Sequence, residues 1–233
     1  MPADTIQIDM GQEGRAEAYL SRPEGSGPWP GLVVLPEIYN ANHWVREVAD
    51  GYAAQGYLAL APDIYWRQSP GQYLPYTPEG QATGRALGYA MDLDAFTGDM
   101  GRYVGALTGA SGCNGRVGTV GFCLGGKLAY LAATRGLVDA AVGYYAVQLD
   151  KHLDEAARLA RPLLLHFAEL DAHVPPDVVS QVEQALAARP DVEIHRYAGA
   201  DHGFNRFGYP PFHEASAKLA LERTLGFLGR HLR

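Results

Sequence analysis

VGTVGFCLGGKLAY, residues 117–130, runs from a strand pattern into a helix pattern across glycines and a cysteine. Arg116 to Phe122 is short, apolar and partly β-branched, as a buried strand is. From Lys127 onward the chain is rich in the helix formers leucine and alanine. Gly121, Gly125 and Gly126 therefore bracket a tight strand-to-helix turn with Cys123 at its tip. Small neighbours are required there, because a strained backbone beside a close helix leaves no room for Cβ atoms.

Working outward, short apolar runs alternate with helical periodicity. Upstream, the pattern predicts a hairpin from TIQIDM and AEAYLSRP turning at GQEG, a strand at 32–35, a helix at 42–55 and a strand at 57–63. Residues 64–84, rich in Pro, Gly, Tyr and Gln, lack periodicity and are expected to form a long surface excursion of the lid or binding-loop kind. A helix is expected at 88–108. Beyond the helix that starts at 124, strands are expected at 140–146, at 162–171 (ending in Asp171) and at 192–197. Helices are expected at 175–190 and 212–231. This alternation defines the α/β class, with a mostly parallel central sheet covered by helices on both faces. One domain spanning 1–233 is expected.

Composition narrows the function. A chain of 233 residues, 47% hydrophobic and 19% charged, has the composition of a soluble globular domain with a substantial core. No apolar run approaches the roughly 18 residues of a membrane span, so no membrane partner is expected. The N-terminal residues lack the order of a secretory signal, and there are only two cysteines, Cys113 and Cys123. Both observations point to a reducing cytoplasm and free thiols. A net charge of −7 without a basic block disfavours nucleic acid. It leaves open a small anionic substrate held by local arginines, and the chain is expected to act as a monomer. No H-E-x-x-H, paired-cysteine or clustered-carboxylate pattern occurs, so neither metal nor cofactor is expected.

In open parallel sheets functional side chains collect beyond the carboxyl ends of the strands. Cys123, Asp171 and His202 lie at such ends in the order nucleophile, acid, histidine, and Gly121 to Gly125 reads G-x-C-x-G. This is the order of an α/β-hydrolase. His202 would exchange the thiol proton, and Asp171 would hold its tautomer. Oxyanion donors are expected from the N–H of Leu124, at a helix N-terminus, and of Ile38, after LVVLP. Glu37 follows the same strand and is expected to face the pocket, where its charge opposes a thiolate. A helix terminus offers only about half a positive charge. The expectation is therefore a neutral resting thiol, with Glu37 moving or taking a proton as substrate enters, unless His202 is protonated. His173 is the rival base, His166 reads as a core histidine, and Asp171 has an alternative reading as a cap for the HVPP turn. Trp44, Trp66, Tyr145 and Phe204 are candidates for lining the pocket. Cys113 reads as an inert loop thiol.

The segments PEIYN, GYLALAPDIYWRQSPG, VGTVGFCLGGKLAYLAA, AVGYYAV, ELDAHVP, AGADHGFNR and ERTLGFL resemble the dienelactone hydrolase family over nearly the whole chain. The resemblance implies an α/β-hydrolase fold and metal-free hydrolysis of an enol-lactone, dienelactone to maleylacetate, in chloroaromatic degradation. It also implies two arginines on the substrate carboxylate. Arg206 matches one; the other falls at Gln81, with Arg85 one helical turn later, and HGF stands where the family's HSF is usual. A broader carboxylesterase or thioesterase with the same triad is the alternative, and a non-catalytic thiol sensor on a hydrolase scaffold a further one.

Overall fold

A computed structural model describes residues 3–233. The chain divides into two compact units, one running to Thr119 and including Arg233, the other spanning Val120–Leu232.

In the first unit β1 (Ala3–Asp9) pairs antiparallel with β2 (Arg15–Ser21), and β2 antiparallel with β4 (Leu58–Pro62). β3 (Trp29–Leu35) runs parallel to β4. Helix α1 (His43–Ala54) begins where Asn42 Oδ1 accepts the Val45 N–H at 3.2 Å. The first unit also holds α2 (Pro78–Tyr89) and α3 (Leu93–Thr108). β5 (Cys113–Phe122) passes from the first unit into the second. The second unit then holds α4 (Leu124–Thr134), β6 (Ala140–Tyr144), β7 (Leu163–Ala168), α5 (Pro176–Leu186), β8 (Val192–Tyr197) and α6 (Glu214–Leu232). β6, β7 and β8 are successive parallel neighbours. The strand order is β1-β2-β4-β3-β5-β6-β7-β8. Every residue of α4 is buried, which is why that helix is mostly Leu, Ala and Gly, with Lys127, Tyr130 and Thr134 as its polar members.

Several boundaries differ from the sequence expectations. Residues 64–84 are a surface excursion only in part: 64–77 are irregular and partly exposed, but Tyr65, Trp66 and Leu74 are buried and α2 begins inside the segment. Thr77 caps α2 through the Gly80 N–H at 3.1 Å, with Pro78 in the first turn, where a missing N–H costs nothing. The helix expected over 88–108 is two helices, because Asp92 Oδ1 accepts the N–H groups of Asp94 and Ala95, both at 3.0 Å, and starts α3 afresh. The strand expected to reach Asp171 ends at Ala168, which leaves the aspartate in a turn. A 3₁₀ segment, Leu149–Arg158, was not foreseen. No helix among the described residues is long and apolar enough to cross a membrane.

Candidate active site

The turn between β5 and α4 is as crowded as its glycines imply. A Cβ on Gly121 would sit 1.9 Å from the Gly125 carbonyl oxygen, and one on Gly126 would lie 2.8 Å from the Ala146 Cβ. Both neighbours are fixed to the backbone, so only glycine fits. The squeeze forces Cys123 to φ 55°, ψ −112°, a conformation costing about 1–3 kcal/mol for a side-chain-bearing residue. Its backbone is held on both sides. The Cys123 N–H donates to the Tyr144 carbonyl at 3.0 Å, and its own carbonyl accepts from Lys127 at 3.2 Å and Val147 at 3.4 Å. The sulfur thus sits at the N-terminus of α4, where the helix carries about half a positive charge.

Asp171 is buried and uses both oxygens. Oδ1 accepts the N–H groups of His173 at 2.7 Å and Val174 at 3.2 Å; Oδ2 meets His202 Nδ1 at 2.7 Å. Asp171 thus caps the turn with one oxygen and meets His202 with the other, so the two alternatives weighed in the sequence are geometrically compatible. His202 stands in the loop between β8 and α6, with its N–H on Asp201 Oδ1 at 2.6 Å. Its ring packs edge-on against Tyr145 and His173, each at 4.7 Å between centroids, and its side chain is hydrogen-bonded to that of Cys123. Burial is the strongest influence on this imidazole and favours the neutral form. The Cys123 charge, the hydrogen bonds with Asp171 and Cys123 and the Asp171 charge together outweigh it, raising the pKa from 6.5 to about 10.

Tyr145, at φ 36°, is fixed by its N–H on the His166 carbonyl and its hydroxyl on Asn205 Oδ1, both at 2.7 Å. Phe204 is fully buried among Tyr144, Tyr145 and Tyr197, so its ring supports Tyr145. His166 is a core histidine, with Nδ1 on the Tyr197 hydroxyl at 2.8 Å, Nε2 on Thr224 Oγ1 at 3.0 Å, and a pKa that burial holds well below the usual value. Arg206 is half-buried and folds its guanidinium over Gly203: a Cβ there would lie 2.8 Å from Nη2. With φ 83° at Gly203, this close approach accounts for the glycine in HGF.

The first unit holds the remaining candidates. Glu37 is buried, and the Ile38 carbonyl accepts the Tyr65 hydroxyl at 3.2 Å and lies where a Cβ on Gly84 would fall. Asn40, at φ 62°, donates to Asp63 Oδ1 at 2.6 Å and accepts the Ile64 N–H at 3.0 Å, pinning the PEIYN loop. Trp44 is buried in α1; on α2 Gln81 is half-buried and Arg85 exposed. Sequence reasoning passed over Asn40, Asp63, Asn205 and the buried Lys127. Among the described residues, no group of three or more His, Cys, Asp or Glu is placed to hold a metal ion.

A tight turn with Cys123 at its tip after β5, Asp171 after β7 and His202 after β8 follow the chain order of an α/β-hydrolase. The model of the dienelactone hydrolase family matches residues 16–232, and the chain belongs to that family. A protein of Azospirillum brasilense, provisionally named a carboxymethylenebutenolidase, is 40% identical over 97% of this chain and 98% of its own. The carboxymethylenebutenolidase of Pseudomonas putida is 36% identical over 93% and 92%. A crystal structure from Klebsiella pneumoniae subsp. pneumoniae MGH 78578, provisionally named a dienelactone hydrolase, superposes with a TM-score of 0.86 at 28% identity, covering 99% of this chain and 100% of that one. The chain is a hydrolase of this family.

Proposed function

We propose that this hydrolase opens small carboxylated enol-lactones of the dienelactone type through a Cys123–His202–Asp171 triad. The observation that carries the reading is the continuous hydrogen-bonded series from the strained Cys123 through His202 to the buried Asp171. The raised His202 favours a thiolate–imidazolium pair at neutral pH. The sulfur attacks the lactone carbonyl carbon, and the π electrons move to oxygen, where the Leu124 N–H at the start of α4 donates. Collapse breaks the ring C–O bond, and the enol oxygen leaves with the His202 proton. A water then loses a proton to His202 and attacks the thioester carbon, releasing the carboxylate and restoring the thiolate. Asp171 keeps Nδ1 as the donor throughout. The family resemblance assigns Arg206 to the substrate carboxylate; the sequence reading adds Arg85 as a shifted second arginine, the Ile38 N–H as second oxyanion donor, Glu37 as a charge bearing on the thiol, and Tyr145, with Trp44 and Phe204 buried behind it as packing, as a pocket residue.

The test is hydrolysis of cis- and trans-dienelactone beside p-nitrophenyl esters, by the wild type and Cys123→Ala, with iodoacetamide and chelator controls. Lactone turnover abolished by Cys123→Ala and by iodoacetamide, but not by chelator, is expected. Folded Cys123→Ala with undiminished turnover overturns the mechanism. Faster turnover of plain esters than of either lactone overturns the substrate assignment in favour of a general carboxylesterase.

A further inference from the structure

The loop between β8 and α6 that carries His202 runs as turns, without helix or strand to stiffen it. Asp171 holds the His202 ring at Nδ1, at 2.7 Å, but a hydrogen bond tolerates a broad spread of angles at its acceptor, so the aim of Nε2 depends on the surfaces packed against the ring. The rings of His173 and Tyr145 both contact it, each at 4.7 Å between centroids. His173 is exposed, whereas Tyr145 is fully buried and can act as a fixed wall. At that distance an aromatic ring also favours an imidazolium. Tyr145 has φ 36°, a backbone that side-chain-bearing residues rarely adopt, and its ring packs against Phe122, Tyr144 and Phe204 at 6.3, 6.4 and 5.8 Å between centroids. Those contacts grip the apolar body of the ring. Its polar tip is held by Asn205, whose Oδ1 accepts the hydroxyl at 2.7 Å. Asn205 lies three residues beyond His202 in the same loop. The backbone around it is turned by the Arg206 N–H on the Gly203 carbonyl at 2.8 Å and the Phe207 N–H on its own carbonyl at 2.9 Å. The contacts therefore close a circuit: His202 leans on the Tyr145 ring, the Tyr145 hydroxyl is held by Asn205, and Asn205 is joined to His202 by a short turn. An apolar residue at 205 would leave a buried hydroxyl without this acceptor and open the circuit.

We propose that Asn205 is a positioning residue for the hydrolysis: by holding the Tyr145 hydroxyl it locks the Tyr145 ring against His202 and keeps the imidazole aimed for proton transfer. This rests on the reading of Cys123 and His202 as nucleophile and base, and adds the device that orients the base from within its own loop. Asn205 acts through Tyr145 and transfers no proton itself.

The experiment measures steady-state hydrolysis of p-nitrophenyl acetate by the full chain. This ester carries no carboxylate, so a displaced Arg206 beside Asn205 does not enter the reading. Asn205→Ala removes the acceptor, Asn205→Asp keeps it, and Tyr145→Phe removes the hydroxyl while keeping the ring. Asn205→Ala is expected to lower kcat by about three- to tenfold with KM within about twofold, and Asn205→Asp to stay within about twofold of wild type. Because Asn205→Ala and Tyr145→Phe break one and the same bond, the double variant is expected to be no slower than the slower single variant, within about twofold. A folded Asn205→Ala that loses less than about threefold in kcat overturns the proposal, as do losses that multiply in the double variant or an Asn205→Asp as slow as Asn205→Ala. If Asn205→Ala does not fold, Tyr145→Phe alone carries the test, with the same expected loss in kcat and the same threshold for refutation. Failure of the underlying reading looks different: Cys123→Ala then retains ester turnover, and this proposal falls with it. Turnover lost in Cys123→Ala but undiminished in Asn205→Ala overturns this proposal alone.

Discussion

Replacing Asp171 with asparagine separates the two roles of that side chain. Asn Oδ1 can still accept the His173 and Val174 N–H groups, which Asp171 Oδ1 takes at 2.7 and 3.2 Å. The amide NH2 then stands where Oδ2 now meets His202 Nδ1 at 2.7 Å. Flipping the amide is blocked, since NH2 would face two N–H donors. Nδ1 must therefore become an acceptor, the ring proton moves to Nε2, and the tautomer is wrong for taking a proton from sulfur. Loss of turnover by about 10³–10⁴-fold is expected, some 4–5.5 kcal/mol of barrier, with KM little changed. Loss of one buried charge-assisted bond lowers stability by about 1.5–3 kcal/mol. The sign with pH follows from the raised His202: its contribution is complete below the unfolded value of 6.5 and disappears as pH rises through about 10. Urea unfolding at several pH values, beside steady-state hydrolysis, reads both effects. A folded variant within tenfold of wild-type turnover, or one losing as much stability above pH 10 as at pH 6, refutes the reasoning.

Gly121→Ala places its Cβ 1.9 Å from a backbone oxygen, so a loss of at least about 3 kcal/mol or failure to fold is expected in thermal denaturation. Gly203→Ala meets a flexible guanidinium 2.8 Å away and a φ of 83°; it should fold with a loss of about 1–2 kcal/mol and raise KM for carboxylated substrates, because Arg206 must shift. Glu155, buried and bonded to Arg135 at 2.7 Å and to Thr134 at 2.7 Å, has its pKa lowered chiefly by the Arg135 hydrogen bond. Its contribution is complete above the unfolded 4.5 and is lost as pH falls through the lowered folded value. Glu155→Gln should cost about 1.5–3 kcal/mol at pH 7 in urea unfolding and progressively less in acid.

The residues of the proposed triad were legible because they rest on local signals: glycine spacing around Cys123, an aspartate after one apolar run and a histidine after another. What escaped was set by pairing over distance. Asn40 and Asp63 are 23 residues apart, and their hydrogen bond makes a turn-rich stretch an anchored one. The break between α2 and α3 depends on a single cap at Asp92, and the surrounding composition continues across it. Lys127 escaped for the opposite reason. A lysine among helix formers reads as a solvent-facing position, and only the burial of α4 on every side makes it an interior charge.

The resting state of the thiol turns on Glu37 and His202. With only half a helix charge to oppose it, Glu37 would keep the sulfur neutral. In the proposed mechanism the opposing charge comes from His202, whose pKa is raised above its ordinary value even against burial. In that reading the His202 side chain is bonded to the sulfur itself, so removing Glu37 should matter less than removing the imidazolium. In the Cys113→Ser background, Glu37→Gln is expected to change the iodoacetamide rate at pH 7 by less than about twofold, whereas His202→Asn slows it by more than about tenfold. A tenfold acceleration in Glu37→Gln would restore the neutral thiol and make the carboxylate, rather than the imidazole, the group that sets its reactivity.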